Sequence, residues 1–147
     1  MKKLLQKRLR NEKGLTLVEL LAVIVILGII AAIAVPAIGG IIESSRIKAQ
    51  FSDGQNVLSA ANLYFIENPG ADPVTIEELV DGDYLDNAGS FDADNDGTVT
   101  YKKGGNELDA TTKTEKGKKV NFTAATISNI NEADAKEGNS PSVTFVD

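Results

Sequence analysis

Between Gly14 and Ile42 the chain reads GLTLVELLAVIVILGIIAAIAVPAIGGII, apolar on every side and interrupted only by Thr16 and Glu19. About 20 such residues, helical and rising about 1.5 Å each, cross a hydrocarbon layer with every backbone group satisfied internally. The run is too long and too uniform to be the core-facing stripe of a small soluble domain. The rest of the chain is therefore arranged around a membrane-spanning helix, with room for one modest domain beside it.

Charge divides at the same place. Before Gly14 stand Lys2, Lys3, Lys7, Arg8, Arg10 and Lys13 against Glu12, whereas the remainder is strongly acidic and brings the whole chain to −6. Basic residues flanking a membrane segment stay cytoplasmic, which puts the acidic part outside. An acidic exterior has no general attraction for a nucleic-acid backbone. With neither cysteine nor histidine in the sequence, a disulfide framework, a thiolate nucleophile and the commonest general base are all excluded.

A basic lead and an apolar run also describe a secretory signal peptide, with weak small-x-small matches at Ala32-Ile33-Ala34 and Ala34-Val35-Pro36. The run is about twice the length of a signal-peptide core, and no clear change to soluble character follows those matches. A more specific pattern is Lys13-Gly14-Leu15-Thr16-Leu17-Val18-Glu19-Leu20. It resembles the N-terminal signal of the type IV pilin and pseudopilin superfamily, over roughly residues 8 to 45. The resemblance implies that a prepilin peptidase cuts between Gly14 and Leu15 and methylates the new amine of Leu15. Glu19 then falls at the fifth position of the mature chain, where the family carries a glutamate. Leu15 stands where phenylalanine is usual.

The residues argue for themselves as well. A carboxylate within hydrocarbon costs on the order of 3 kcal/mol, so Glu19 needs either a partner or a place at headgroup level. The amine freed before Leu15 is a candidate, on the same chain or on a neighbour packed with an axial offset. The helix N-terminus also favours a negative charge in its first turn. Thr16 reads as a helix-start residue. Pro36, with Gly28, Gly39 and Gly40, weakens helicity further along. The resemblance makes residues around Ala31 to Gly40 the stretch that loses helicity on assembly, with an ordinary kink as the alternative. Ala31, Ala32, Ala34 and Ala37 let neighbouring helices approach closely.

Beyond Ile42, Ile47, Phe51, Leu58, Ala61 and Phe65 recur at helical spacing between polar residues, which predicts that the helix continues to about Glu67, weakened at Gly54 and stopped by Asn68-Pro69-Gly70. Thr75 and Glu78 form a capping box opening a short helix that ends by Asp81-Gly82. Tyr84 and Leu85 are expected to pack back on the long helix. Thr98–Tyr101, Lys119–Thr123 and Ser142–Val146 read as strands, residues 124–130 as an extension or a crossover, and 104–118 and 132–140 as loops. The fold class is α+β, a long N-terminal helix packed by a small antiparallel sheet, as in type IV pilins. Its divisions are a leader (1–14), a membrane and filament-core half-helix (15–42), an amphipathic half-helix (43–67) and a head domain (68–147).

One soluble constellation invites chemistry. Asp92, Asp94, Asp96, Gly97 and Thr98 match the first half of a calcium loop, whose carboxylates alternate before a sharp glycine turn. Position twelve is Lys103, which supplies no ligand, so Asp83, Asp86 or Asn87 would have to complete the site. A solvated turn rich in Asp, Asn and Gly accounts for the same residues. Some major pseudopilins order a carboxy-terminal loop with calcium, which the resemblance carries over as an expectation. Asn121-Phe122-Thr123 matches a glycosylation acceptor, read as accidental under the resemblance. Lys113, Lys116, Lys118 and Lys119 form a basic cluster, either a solvated loop or a contact for DNA or an acidic neighbour; no aromatic residues interleave with it.

No phosphate-binding loop is present, and without histidine or cysteine a conventional catalytic base is missing, while the carboxylates cluster in a turn where no cleft can be argued, so an enzyme is not expected. The leading reading is a pilin, a structural subunit of a type IV pilus or related filament. The resemblance implies the partners: further copies in a helical filament, the peptidase, an inner-membrane platform with minor pilins, and DNA or a surface to touch. It implies a single-pass membrane precursor and then an extracellular, periplasmic or cell-wall filament. A major pseudopilin of a secretion or competence apparatus, and a monomeric tethered module that binds calcium or a partner, are the alternatives.

Overall fold

The computed structural model describes residues 2–92, 97–113, 117–133 and 140–146, with side chains from Thr16 onward. Helix α1 runs Lys2–Glu67 with Pro36 inside it. The chain divides into two compact units, Met1–Ile41 and Ile42–Asp147.

In the first unit none of the described side chains is buried. The large apolar residues from Leu17 to Ile41 are 52–70% exposed. The described helix from Thr16 onward is long and apolar enough to cross a membrane.

The second unit starts with the rest of α1, where the apolar period becomes a buried stripe. Ile47, Phe51, Leu58, Ala61 and Phe65 are all in the core, with Val57 and Ala60 beside them. Gly54 lies on the same stripe, and its lack of a side chain has a packing reason. A Cβ there would stand 3.0 Å from Phe122 Cζ and 3.3 Å from Ile130 Cδ1, so the glycine lets the sheet approach the helix. The helix ends where the Asn68 amide and its side-chain Nδ2 both donate to the Tyr64 carbonyl, at 2.8 and 3.0 Å. Gly70 then takes φ +96°, which glycine adopts without steric cost.

Five strands follow: β1 (Val74–Thr75), β2 (Thr98–Thr100), β3 (Glu107–Thr111), β4 (Lys119–Ala125) and β5 (Val143–Val146). They form one sheet in the order β1-β2-β3-β4-β5, and every neighbouring pair is antiparallel. The register aligns Val74, Val99 and Leu108 in one row and Ala110, Phe122 and Val143 in another. Phe51 of α1 reaches this face, its ring centroid 6.5 Å from Phe122 and 6.3 Å from Phe145. A small antiparallel sheet thus covers the apolar stripe of the second half of α1, as the α+β reading requires.

Helix α2 (Ile76–Asp81) carries the expected capping box: Glu78 N donates to Thr75 Oγ1 at 3.1 Å, and Thr75 N donates to the Glu78 carboxylate at 2.9 Å. Tyr84 packs on α1 as expected, 5.3 Å from the Tyr64 ring, and Leu85 packs against the core. Three elements differ from the sequence reading. The expected loop 104–118 contains β3, a central strand. Val74 and Thr75 pair with β2 before α2 begins. Residues 127–132 form α3 (Ile127–Glu132), opened by a second capping box in which Asn129 takes the place of the usual glutamate opposite Thr126. The strand expected at 119–123 runs on to Ala125, and the register between β3 and β4 shifts at Leu108/Ala110.

Candidate functional site

Residues 14, 15, 19 and 36 all lie in α1 within the first unit. The side chain of Leu15 is outside the described residues. Glu19 is exposed, surrounded along the helix by Leu17, Val18, Leu20 and Leu21, each more than 60% exposed. Among the described residues no basic side chain forms an ion pair with it. Helix α1 continues through Pro36 in this structure, and the nearby Gly39 and Gly40 have open space where a Cβ would stand. From Thr16 to Ile41, therefore, α1 shows no buried side chain and carries one carboxylate on an exposed apolar surface.

Of the acidic loop, the described residues are Asp92, Gly97 and Thr98. Ala93, Asp94, Asn95 and Asp96 lie outside the described residues. Asp92 makes an ion pair with Lys113 at 3.2 Å, and Thr98 opens β2, opposite Asp109. Gly97 does not have the positive φ that a calcium loop's turn glycine uses. Instead a Cβ there would meet Ile76 Cδ1 at 2.5 Å, so close packing explains the glycine. Asn87, one of the residues considered to complete the site, accepts the Gly89 amide at 2.9 Å. Among the described residues no group of three or more acidic, His or Cys side chains is placed to hold a metal. An ion bound at Asp92 would compete with Lys113.

Sequence reasoning missed the polar contacts that attach the loops to α1. Gln50 is buried on the apolar stripe, three residues after Ile47 and four before Gly54. Its Oε1 accepts from Val120 N at 3.0 Å and from the Thr112 hydroxyl, and its Nε2 donates to the Lys118 carbonyl at 3.1 Å. About two turns earlier, Glu43 Oε1 accepts the Lys118 amide at 2.8 Å. Asp53 accepts from the Ser90 amide at 2.8 Å and from the Ser90 hydroxyl. Asn62 Oδ1 accepts from Asn106 Nδ2 at 2.7 Å. A glutamine at a stripe position was the available signal, because a buried amide needs partners. The basic cluster is likewise engaged: Lys113 pairs with Asp92, and Lys118 lies 5.7 Å from the centre of the Phe145 ring. Lys116 lies outside the described residues. Asn121 of the glycosylation-like triplet accepts from Thr111 at 2.7 Å within the sheet.

At the other end of α1, Tyr84 donates its hydroxyl to the Glu67 carboxylate at 2.6 Å. That bond holds the Tyr84 pKa above the usual tyrosine value, opposed by donation from Asn68 Nδ2.

Residues 9–35 match the family described as the prokaryotic N-terminal methylation motif. The chain is 32% identical over 59 residues to the type II secretion system core protein G of Pseudomonas aeruginosa, covering 40% of this chain and 42% of that protein. It is 40% identical over 68 residues to a type IV major fimbrial protein FimA of Dichelobacter nodosus, covering 44% of this chain and 42% of the relative. A fimbrial protein of the same organism is 41% identical over 68 residues, covering 44% and 42%. The chain thus spans less than half the length of the curated relatives it matches. No solved structure matches it significantly. The chain thus carries the prokaryotic N-terminal methylation motif on an uncovered apolar stretch of helix, with an antiparallel sheet packed on the helix beyond Ile42, and over part of its length it is similar to type IV fimbrial proteins and a type II secretion protein.

Proposed function

We propose that this chain is a pilin, a structural subunit of a type IV pilus or related filament. The observation that carries the reading is the methylation motif over residues 9–35, placed on a helix whose apolar side chains have no cover in their own unit. The precursor spans the membrane with its basic end in the cytoplasm, and a prepilin peptidase cuts between Gly14 and Leu15 and methylates Leu15. The amine made there and the Glu19 carboxylate neutralise one another in the apolar core and set the axial offset between copies. A platform and minor pilins at the inner membrane extract the trimmed chain into a helical homo-oligomer, in which Pro36 marks the stretch that adapts. The role is structural, and the acidic head faces outward to touch a surface or DNA. The fimbrial relatives, matched at higher identity and over more residues than the secretion protein, support a pilus over a secretion filament.

The test is the intact mass and N-terminal sequence of protein sheared from cell surfaces, in wild type and in a Gly14 substitution. The expected chain begins at N-methylated Leu15 and disappears from the sheared fraction in the substituted strain. A chain retaining residues 1–14, or cut near Ala34, overturns the reading.

A further inference from the structure

Charge in the second unit is distributed along α1. At the end marked by residues 43–50 the contacts gather basic side chains. The backbone of Lys118 is bound by Glu43 and Gln50, Lys119 follows it in β4, and Lys48 is exposed on the helix. The Glu43 carboxylate is directed to a backbone amide there. At the end marked by residues 64–67 the contacts gather acidic ones. Glu67 closes α1 and holds Tyr84. Asp81 and Asp83 flank Gly82, whose Cβ would lie 2.9 Å from the Tyr84 ring. Asp72 accepts the amide of Tyr101 at 2.8 Å, and the Tyr101 ring sits 5.6 Å from Phe65. Of the two lysines at this end, Lys102 faces Glu107 at 3.9 Å. The ends are about 36 Å apart along the helix, at 1.5 Å per residue from Glu43 to Glu67. That exceeds a Debye length of about 8–10 Å, so within one copy they do not neutralise each other.

Each end also offers apolar surface. At the acidic end Phe65, Ile66, Pro69 and Tyr101 line a depression of about 450 Å³, with Ile66 74% exposed. At the basic end Val146 of β5 stands opposite Lys119 and is 44% exposed. Two different surfaces of opposite charge at opposite ends of one unit are what a repeating, non-closing contact between identical copies requires.

We propose that the acidic end of one copy, at Glu67, Asp72 and Asp81, docks on the basic end of a second copy, at Lys118 and Lys119. The contact runs head to tail between the units that begin at Ile42, and it sets which copies meet outside the apolar core. This inference rests on the filament reading above.

Charge exchange tests it in cells that assemble the full chain. Lys118→Glu with Lys119→Glu is expected to lower sheared filament about tenfold, and Glu67→Lys with Asp81→Lys likewise, since like charges then face each other. The chain carrying all four substitutions is complementary to itself again and recovers filament. Parents that assemble as wild type, or a fourfold variant as poor as its parents, overturn the contact. Near-ultraviolet circular dichroism in detergent reports whether each variant keeps its fold. Where one does not, zero-length carbodiimide crosslinking of wild-type filaments decides. Links between copies from Lys118 or Lys119 to Glu67, Asp72 or Asp81 support the contact, and intermolecular links confined to other pairs refute it. Wild-type cells without filaments remove the filament reading itself, and this contact with it.

Discussion

Residues 16–41 and 42–67 belong to the same helix and are both rich in apolar side chains, yet they meet opposite fates. In the first stretch every large apolar residue is at least half exposed; in the second the apolar residues at intervals of three, four and seven are buried under a sheet. Helix formation does not distinguish them, but the arrangement of polar residues does. Arg46, Lys48, Asp53, Gln55 and Asn62 confine the apolar surface of the second stretch to one stripe that a five-stranded sheet can cover. No stripe exists in the first, so a small domain has no single face to cover, and the stretch is long and apolar enough to cross a membrane. The glycines repeat the lesson: nothing lies within 4 Å of a Cβ built on Gly28, Gly39 or Gly40, whereas Gly54 is pressed against Phe122.

The largest expected difference follows from truncating leucine in each stretch. Leu58 is 1% exposed and Leu27 is 58% exposed. Leu58→Ala should lower the unfolding free energy of the second unit by about 2–5 kcal/mol, the cost of a buried cavity. Leu27→Ala should leave it unchanged. Urea unfolding of the full chain in detergent, followed by near-ultraviolet circular dichroism, measures both. Equal effects from the two would break the contrast between a stretch that holds its own fold together and one that does not.

Gln50→Leu comes next. The change keeps an apolar stem on the stripe but removes the partner of the Lys118 carbonyl and one acceptor for Val120 N. Val120 N retains Thr112 Oγ1 at 2.8 Å, so the loss should sit near the low end of the 1–3 kcal/mol expected for unsatisfied buried groups. Faster amide exchange at Val120 with an unchanged urea slope is the expected signature. An unchanged midpoint would show that the sheet is held by apolar packing alone.

How much of this was readable in advance depends on how strongly each segment pairs pattern with composition. The course of α1 from the apolar run to Glu67, its stop at Asn68, the Thr75 cap and the strands around Val99, Val120 and Val143 were legible, because apolar period, turn residues and β-branched side chains agree there; the start of α1 was not, since the helix already begins at Lys2 and Thr16 lies within it rather than at its start. Strand β3, ELDAT, was not, because two acidic residues and one buried Leu108 look like a loop until β2 and β4 flank it. Helix α3 was obscured by its brevity and by asparagine at the capping position. On the uncovered stretch of α1 the motif and Glu19 were plain in the sequence. The ties from Glu43, Gln50, Asp53 and Asn62 were not, since each depends on a loop at least 37 residues away.

Gly54→Ala tests the close approach on a smaller scale. Alanine gains about 1 kcal/mol of helix propensity, but its methyl meets a Phe122 ring that is itself fully buried, and overpacking costs about 1–3 kcal/mol. A net loss of about 1 kcal/mol is expected, against no loss at all for Gly39→Ala. Stabilisation by Gly54→Ala would mean that Phe122 and Ile130 shift easily, and that the sheet is less closely fitted to the helix than the stripe implies.

The smallest effect lies at the end of the buried stripe. The neutral Tyr84 hydroxyl donates to Glu67, and ionising it would place a phenolate beside a carboxylate, which is why its pKa is raised. A raised folded-state pKa means that the neutral form is favoured by folding. The contribution is therefore fully present below the unfolded tyrosine value of about 10 and is lost as pH rises through the folded value. Tyr84→Phe keeps the ring against Tyr64 and removes the bond. Melting temperatures of the two proteins should differ by a constant margin below about pH 9 and converge above about pH 10. Parallel curves across that range would show that the bond adds nothing, and that Tyr84 is held by the same apolar packing as the rest of the stripe.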